Sequence, residues 1–208
     1  INRSKERQYS EGELTTPGVR KYYTVLYPEL LETPDALCDK FSKILLIWDK
    51  IQSYSIVKLM MKFNENFKLF LISYLFRIPE NEITESNITP IVECLLRLFA
   101  LLEVGDYGYS SRYFKTFLFN ENFKLVDEAY KIDEILEDFN RHISSTWKED
   151  DVLADLMEYD KNILVYLNEY LYAKEHKIPF DFTPEKVNVE HIMPASGHNI
   201  ESVRVNAN

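Results

Sequence analysis

From Leu37 to Ile51 apolar side chains return every three or four residues: Leu37, Phe41, Ile44, Leu45, Trp48 and Ile51. That spacing predicts an amphipathic helix. Thr33 followed by Pro34 marks its start, an N-cap residue ahead of a proline at the first helical position. A similar pattern follows Thr89-Pro90, with Val92, Leu95, Leu96, Phe99 and Leu102 in the stripe and Gly105 as the stop. A second helix is expected after each, around 54–63 and 110–119. The triplets Asn64-Glu65-Asn66 and Asn120-Glu121-Asn122 are then expected to break the chain and cap a third helix. Further amphipathic helices are predicted over 131–140, 150–159 and 162–174, the last with Ile163, Leu164, Leu167, Tyr170 and Leu171 inward.

These likenesses have a common register. Phe63-Asn64-Glu65-Asn66-Phe67-Lys68-Leu69 recurs letter for letter as Phe119–Leu125, an offset of 56 residues. At the same offset Glu29 matches Glu85, Thr33-Pro34 matches Thr89-Pro90, and Cys38 matches Cys94. Leu45-Leu46, Ser55 and Tyr74 match Leu101-Leu102, Ser111 and Tyr130. Positions 29–74 thus hold 15 identities with 85–130, against about three expected by chance. The expected fold class is mainly α, a helical bundle with an internal duplication of a three-helix unit. Copies would lie at 29–74 and 85–130, acidic helices at 131–160 and one more helix at 162–174. A polar arm or linker, 1–28, is expected to precede this helical domain, 29–176.

Composition supports the helices and narrows the chemistry. Only five of 208 residues are glycine, and none lies between Gly18 and Gly105. Tight hairpins and Gly-rich phosphate loops are therefore not expected. Cys38 and Cys94 form no disulfide framework and no metal set, and both are expected to be buried small residues in a reduced, cytoplasmic protein. No apolar run has the roughly 18 residues of a membrane helix, so no membrane partner is expected. The formal charge is −10, of which −8 falls within 133–160. That acidity is local: a solvated helical face is expected there, with a metal or a basic protein partner as the functional alternatives. His142 and His176 fall in helical segments beside charges and are expected to be solvated. The chain starts without Met and stops without an evident element end, and it reads as an internal piece of a longer protein.

After His176 the pattern changes. Ile178-Pro179-Phe180 and Thr183-Pro184 end the helical region, and Val187-Asn188-Val189-Glu190-His191-Ile192 alternates as a short strand closed by Pro194. An acid directly before a histidine at a strand end suits metal-assisted phosphodiester hydrolysis. The carboxylate of Glu190 can hold a hard divalent cation, and the imidazole of His191 can take the proton of the attacking water. Strand alternation sets the two side chains on opposite faces, so a bend at His191 is needed to converge them.

Val189-Glu190-His191-Ile192-Met193-Pro194-Ala195-Ser196 resembles the first strand of HNH, or His-Me finger, nucleases, whose pattern is aliphatic, Asp/Glu, His, Ile, any, Pro, any, Ser. With the helical region upstream, Tyr-Ser-Ser-Arg-Tyr-Phe within 107–119, and the helix 162–174 leading into the motif, the chain resembles the GmrSD-like restriction endonucleases. In that family a nucleotidase domain (family 262) precedes helices and an HNH-like domain (family 1524). The resemblance implies His191 as general base and Glu190 as a metal-binding acid, glutamate departing from the commoner aspartate. It implies Mg²⁺ or Mn²⁺ in the intact nuclease domain, a nucleotide in the missing N-terminal domain, and DNA as the partner. Residues 177–208 would be the start of the finger. Its helix with an Asn or His ligand is absent, and His198, Asn199, Asn206 and Asn208 sit on no recognisable helix. The piece alone is expected to be inactive. The contrasting expectation is a non-enzymatic helical scaffold whose acidic 133–160 face meets a basic partner.

Overall fold

A computed structural model describes residues 20, 22–26, 28–105, 111–126, 131–158 and 164–183. They are mainly helical, with no strand among the described residues. A π-helical turn, Tyr22–Leu26, leads to the short α1 (Glu29–Glu32), and α2 (Pro34–Ile51) then begins at its proline. At that first position the missing N–H has no intrahelical partner to lose. Next come α3 (Ser55–Phe63), α4 (Phe67–Leu75) and α5 (Glu85–Val104). The remaining helices are α6 (Ser111–Val126), α7 (Glu134–Thr146), α8 (Glu149–Glu158) and α9 (Leu164–His176).

The centre is α5, which packs against α3, α4, α7 and α8. It buries Ile88, Ile91, Val92, Cys94, Leu95, Leu96, Leu98 and Phe99, so it is apolar around most of its circumference, as a core helix must be. Further pairs are α4 with α6, α2 with α4, and α9 with α3. Phe70 of α4 meets Phe139 of α7 with ring centres 5.4 Å apart, and Phe117 of α6 meets the same ring edge-on at 4.9 Å. Two lysines of α2 hold the connection between α4 and α5. Lys43 donates to the Phe76 carbonyl (3.1 Å), and Lys50 to that of Glu80 (2.8 Å).

The second copy departs from expectation at both ends. Its first helix does not start at Thr89-Pro90. Thr84 caps it instead, its hydroxyl accepting from the Asn87 N–H (3.3 Å), and Pro90 lies inside the helix. The Thr89 hydroxyl donates to the Glu85 carbonyl at 2.7 Å, a local bond that a helical threonine can make beside the proline. Gly105 does follow the last residue of α5, with φ −88°, so glycine's left-handed freedom is not used there. The Asn-Glu-Asn triplet breaks only the first copy. Asn64 is extended (φ −167°, ψ 137°), and its side chain accepts from the Asn66 N–H at 2.9 Å. In the second copy α6 runs unbroken through 120–122, so no separate third helix forms there.

The apolar stripe of α2 is only partly inward. Ile47 and Ile51 are buried, but Phe41, Leu45 and Leu46 are exposed. Phe41, Leu37 and Ile44 instead line a groove of about 490 Å³ shared with Leu69 and Ile72 of α4 and Phe119 and Phe123 of α6. Of the two cysteines Cys94 is buried, as expected, while Cys38 is exposed on α2, one more sign that this helix packs on one edge only. His142 is half-buried rather than solvated. It stacks on Phe117 (4.0 Å, 11° between planes), and burial pushes its imidazole below the ordinary value. His176 is exposed and stacks on Tyr172. No helix of the described residues is long and apolar enough to cross a membrane.

Candidate functional site

Glu190 and His191 lie outside the described residues, as do the expected strand 187–192 and His198, Asn199, Asn206 and Asn208. The described chain ends at Thr183, just before them, and its last stretch is fixed to the bundle. Lys177 adopts a left-handed conformation (φ 54°) after α9. The Ile178 N–H then returns to the Ala173 carbonyl (3.0 Å) and the Lys177 N–H to that of Lys174 (3.3 Å), which closes the helix and reverses the chain. A residue other than glycine in this conformation costs about 1 kcal/mol.

From there Phe180 and Phe182 turn back onto α9 and α3. Phe182 is fully buried, and its ring meets Tyr166 edge-on at 5.8 Å. Phe180 meets Tyr170 at 5.0 Å and stacks on Phe182 at 5.8 Å. The backbone N–H of Phe182 donates to the Ser55 hydroxyl at 3.1 Å, in a buried setting at the start of α3. A buried aromatic of this size contributes about 3 kcal/mol of apolar burial, so the tail is held by more than one hydrogen bond.

On the far side of Tyr170 a cleft of about 610 Å³ lies between α5, α7, α8 and α9. Leu96, Ala100, Val152 and Leu167 give it an apolar lining, and Trp147 contributes a buried indole. Its polar rim comes from helical spacing: Glu93 and Arg97 are four apart on α5, and Tyr170 and Lys174 four apart on α9. The Tyr170 hydroxyl donates to Glu93 Oε1 at 2.6 Å, and Lys174 pairs with the same oxygen. Burial first, and the Glu93 carboxylate second, push the Tyr170 phenol well above its ordinary range. It is therefore a fixed hydrogen-bond donor and not a base. Arg97 donates to Asn140 Oδ1 at 3.0 Å. Tyr170 thus ties the cleft to the tail, touching Glu93 with its hydroxyl and Phe180 with its ring.

The acidic segment divides in two. Glu134, Glu137, Glu149, Asp150, Asp151 and Glu158 are exposed, the solvated face that was expected. Asp138 is drawn inward, bonded to Lys124 (2.8 Å) and Arg141 (2.8 Å). No group of three or more His, Cys, Asp or Glu that could hold a metal occurs among the described residues. The cleft combines an apolar lining with a polar rim, and the described residues that line it bring together no nucleophile and base. Sequence reasoning placed Tyr170 inward but missed Ser55, Glu93, Lys174 and Phe182 as a connected set. The Phe-x-Phe at 180–182 was the legible signal, alternating aromatics where the helical period stops. Nothing in the sequence marked Ser55 as their partner, 127 residues away. No family model matches this chain, nor does any curated protein or solved structure.

Proposed function

We propose that this chain is the helical middle region and the opening of the nuclease finger of a GmrSD-like, nucleotide-regulated restriction endonuclease. Val189–Ser196 carries the resemblance, with His191 as the base that activates water and Glu190 as a ligand of Mg²⁺ or Mn²⁺. The structural observation that supports this reading is the clamped tail. Phe180 and Phe182 are seated on α3 and α9, so the motif starts a few residues beyond a fixed point of the helical body. A finger that needs its metal and base held against a DNA backbone requires such a rigid mount. DNA is the substrate of the intact protein, and the nucleotide belongs to a domain upstream.

The test uses the full-length protein. Nicking of plasmid DNA in Mg²⁺ or Mn²⁺ is expected, and His191→Ala is expected to abolish it. Undiminished nicking by that variant refutes the role of His191. Because His191 is remote in sequence from the bundle core, the variant is also expected to keep the wild-type melting temperature.

Within the same reading, segments 29–74 and 85–130 descend from a duplicated unit. The 15 identities support this. Superposition of 29–74 on 85–130 as helical units in a crystal structure would bear it out; unrelated helix directions in the two segments would refute it.

A second reading has its own support. On α8 the acids Glu149, Asp150 and Asp151 are exposed beside Leu153, Leu156 and Met157, the last 88% exposed. A scaffold that docks a basic, partly apolar protein would present this combination. Asp150→Lys/Asp151→Lys separates the two: loss of a binding partner with nicking intact favours the scaffold role of this face.

A further inference from the structure

One sequence in this chain is found in two conformations. Phe-Asn-Glu-Asn-Phe-Lys-Leu is broken at 64–66, where Asn64 is extended, and is continuous helix at 119–125. The continuous form is poorly satisfied. Glu121 is buried, with 3% of its side chain exposed, and its Oε2 has no hydrogen-bond partner; neither has the buried Oδ1 of Asn122. In the broken form the same residues are at ease: Glu65 is 72% exposed, and Asn64 Oδ1 accepts from both the backbone and the side chain of Asn66. Asparagine is also a weak helix former, and two lie within this stretch of α6.

We infer that α6 is a two-state element, which interconverts between the continuous helix and a form broken at 120–122 like that at 64–66. What holds the continuous state is tertiary. Leu125 is buried, Lys124 bridges Glu121 Oε1 (2.7 Å) and Asp138 of α7 (2.8 Å), and Arg77, beyond α4, donates to the Leu125 carbonyl (3.4 Å). Breaking the helix frees the Glu121 carboxylate to reach water and lets the Asn120 side chain close a turn as Asn64 does. It also moves Phe119, Asn122 and Phe123, which form one wall of the groove against α2 and α4. The shape of that groove is therefore set by the state of α6. This inference is independent of the nuclease reading.

Amide hydrogen exchange, read by mass spectrometry on overlapping peptides of the chain, tests it. Amides of 121–125 are expected to exchange at least tenfold faster than those of 114–118 in the same helix. Glu121→Leu, which suits the buried position, is expected to slow 121–125 at least tenfold and leave 114–118 unchanged. If that variant fails to fold, Glu121→Gln is expected to act in the same direction more weakly. Uniform protection along α6 would overturn the inference. So would fast exchange that neither substitution slows, because that is fraying of a helix end.

Discussion

Residues 63–69 and 119–125 are identical in sequence and differ in nearly every structural respect. In the first, Phe67 is buried and Leu69 is 63% exposed; in the second, Leu125 is buried and Phe123 only half-buried. Glu65 faces solvent and Glu121 the interior, yet each makes an ion pair with the lysine three residues on. The local pairing survives because it needs only helical or near-helical geometry over one turn. Everything that depends on neighbours is exchanged. Intrinsic propensity is common to both copies, so the difference measures the surroundings alone: α7 meets the second copy through Asp138, which pairs with Lys124, whereas the first opens toward α2, where Trp48 meets Phe67 at 6.4 Å.

The comparison can be sharpened by making each substitution in both copies and following chemical denaturation. Truncating the aromatic should separate them most. Phe67→Ala is expected to cost about 3–5 kcal/mol, the range for a fully buried ring, and Phe123→Ala clearly less. Leucine should reverse the order, with Leu125→Ala costing about 2–3 kcal/mol and Leu69→Ala below about 0.5 kcal/mol. If both pairs respond alike, the burial difference is not real in solution.

The buried acid of the second copy should show itself in the pH dependence of stability. Burial first, and the neighbouring Asp138 carboxylate, raise the Glu121 carboxyl above its ordinary value, partly offset by Lys124. A raised carboxyl contributes stability that is fully present below about pH 4.5 and is lost as pH rises through the folded-state value. Glu121→Gln should therefore flatten the stability profile above pH 4.5. An unchanged profile in Glu121→Gln would place that carboxylate in water. The smallest effects should have opposite signs. Asn64→Ala removes the acceptor of an exposed turn bond from the Asn66 N–H and is expected to cost about 0.5 kcal/mol, whereas Asn120→Ala, inside a helix, should gain about 0.5 kcal/mol.

Helix was the legible part of this fold. Apolar spacing and the scarcity of glycine predicted the class, and Thr33-Pro34 predicted the start of α2 to the residue. The same dipeptide misled at Thr89-Pro90, because a stronger signal lay upstream: Thr84 caps Glu85 and its successors through the Asn87 N–H, and the packing of α5 on four neighbours outweighs one lost bond at Pro90. The stripe of α2 was real, but periodicity does not say which part of an apolar face finds a partner, so Phe41 and Leu45 read as core and are exposed. His142 was misjudged for a related reason. Its sequence neighbours are charged, yet its covering ring, Phe117, comes from another helix. The cleft at Glu93 and Tyr170 was invisible for the same cause, since its two walls are 77 residues apart. The Val-Glu-His-Ile motif is the opposite case, legible as chemistry from eight letters while lying outside the described residues.

The bond from Phe182 to Ser55 has a consequence for the order of assembly. It closes a chain segment of 127 residues, and the entropy lost in closing so long a loop is recovered only when the surfaces at both ends already exist. The seat for Phe180 and Phe182 is built from α3 and α9, the two ends of that segment, so it is complete only after the intervening helices have docked. The tail should therefore lock last during folding. A chain that has misassembled its bundle has no seat to offer, and whatever follows residue 183 is then left without its mount.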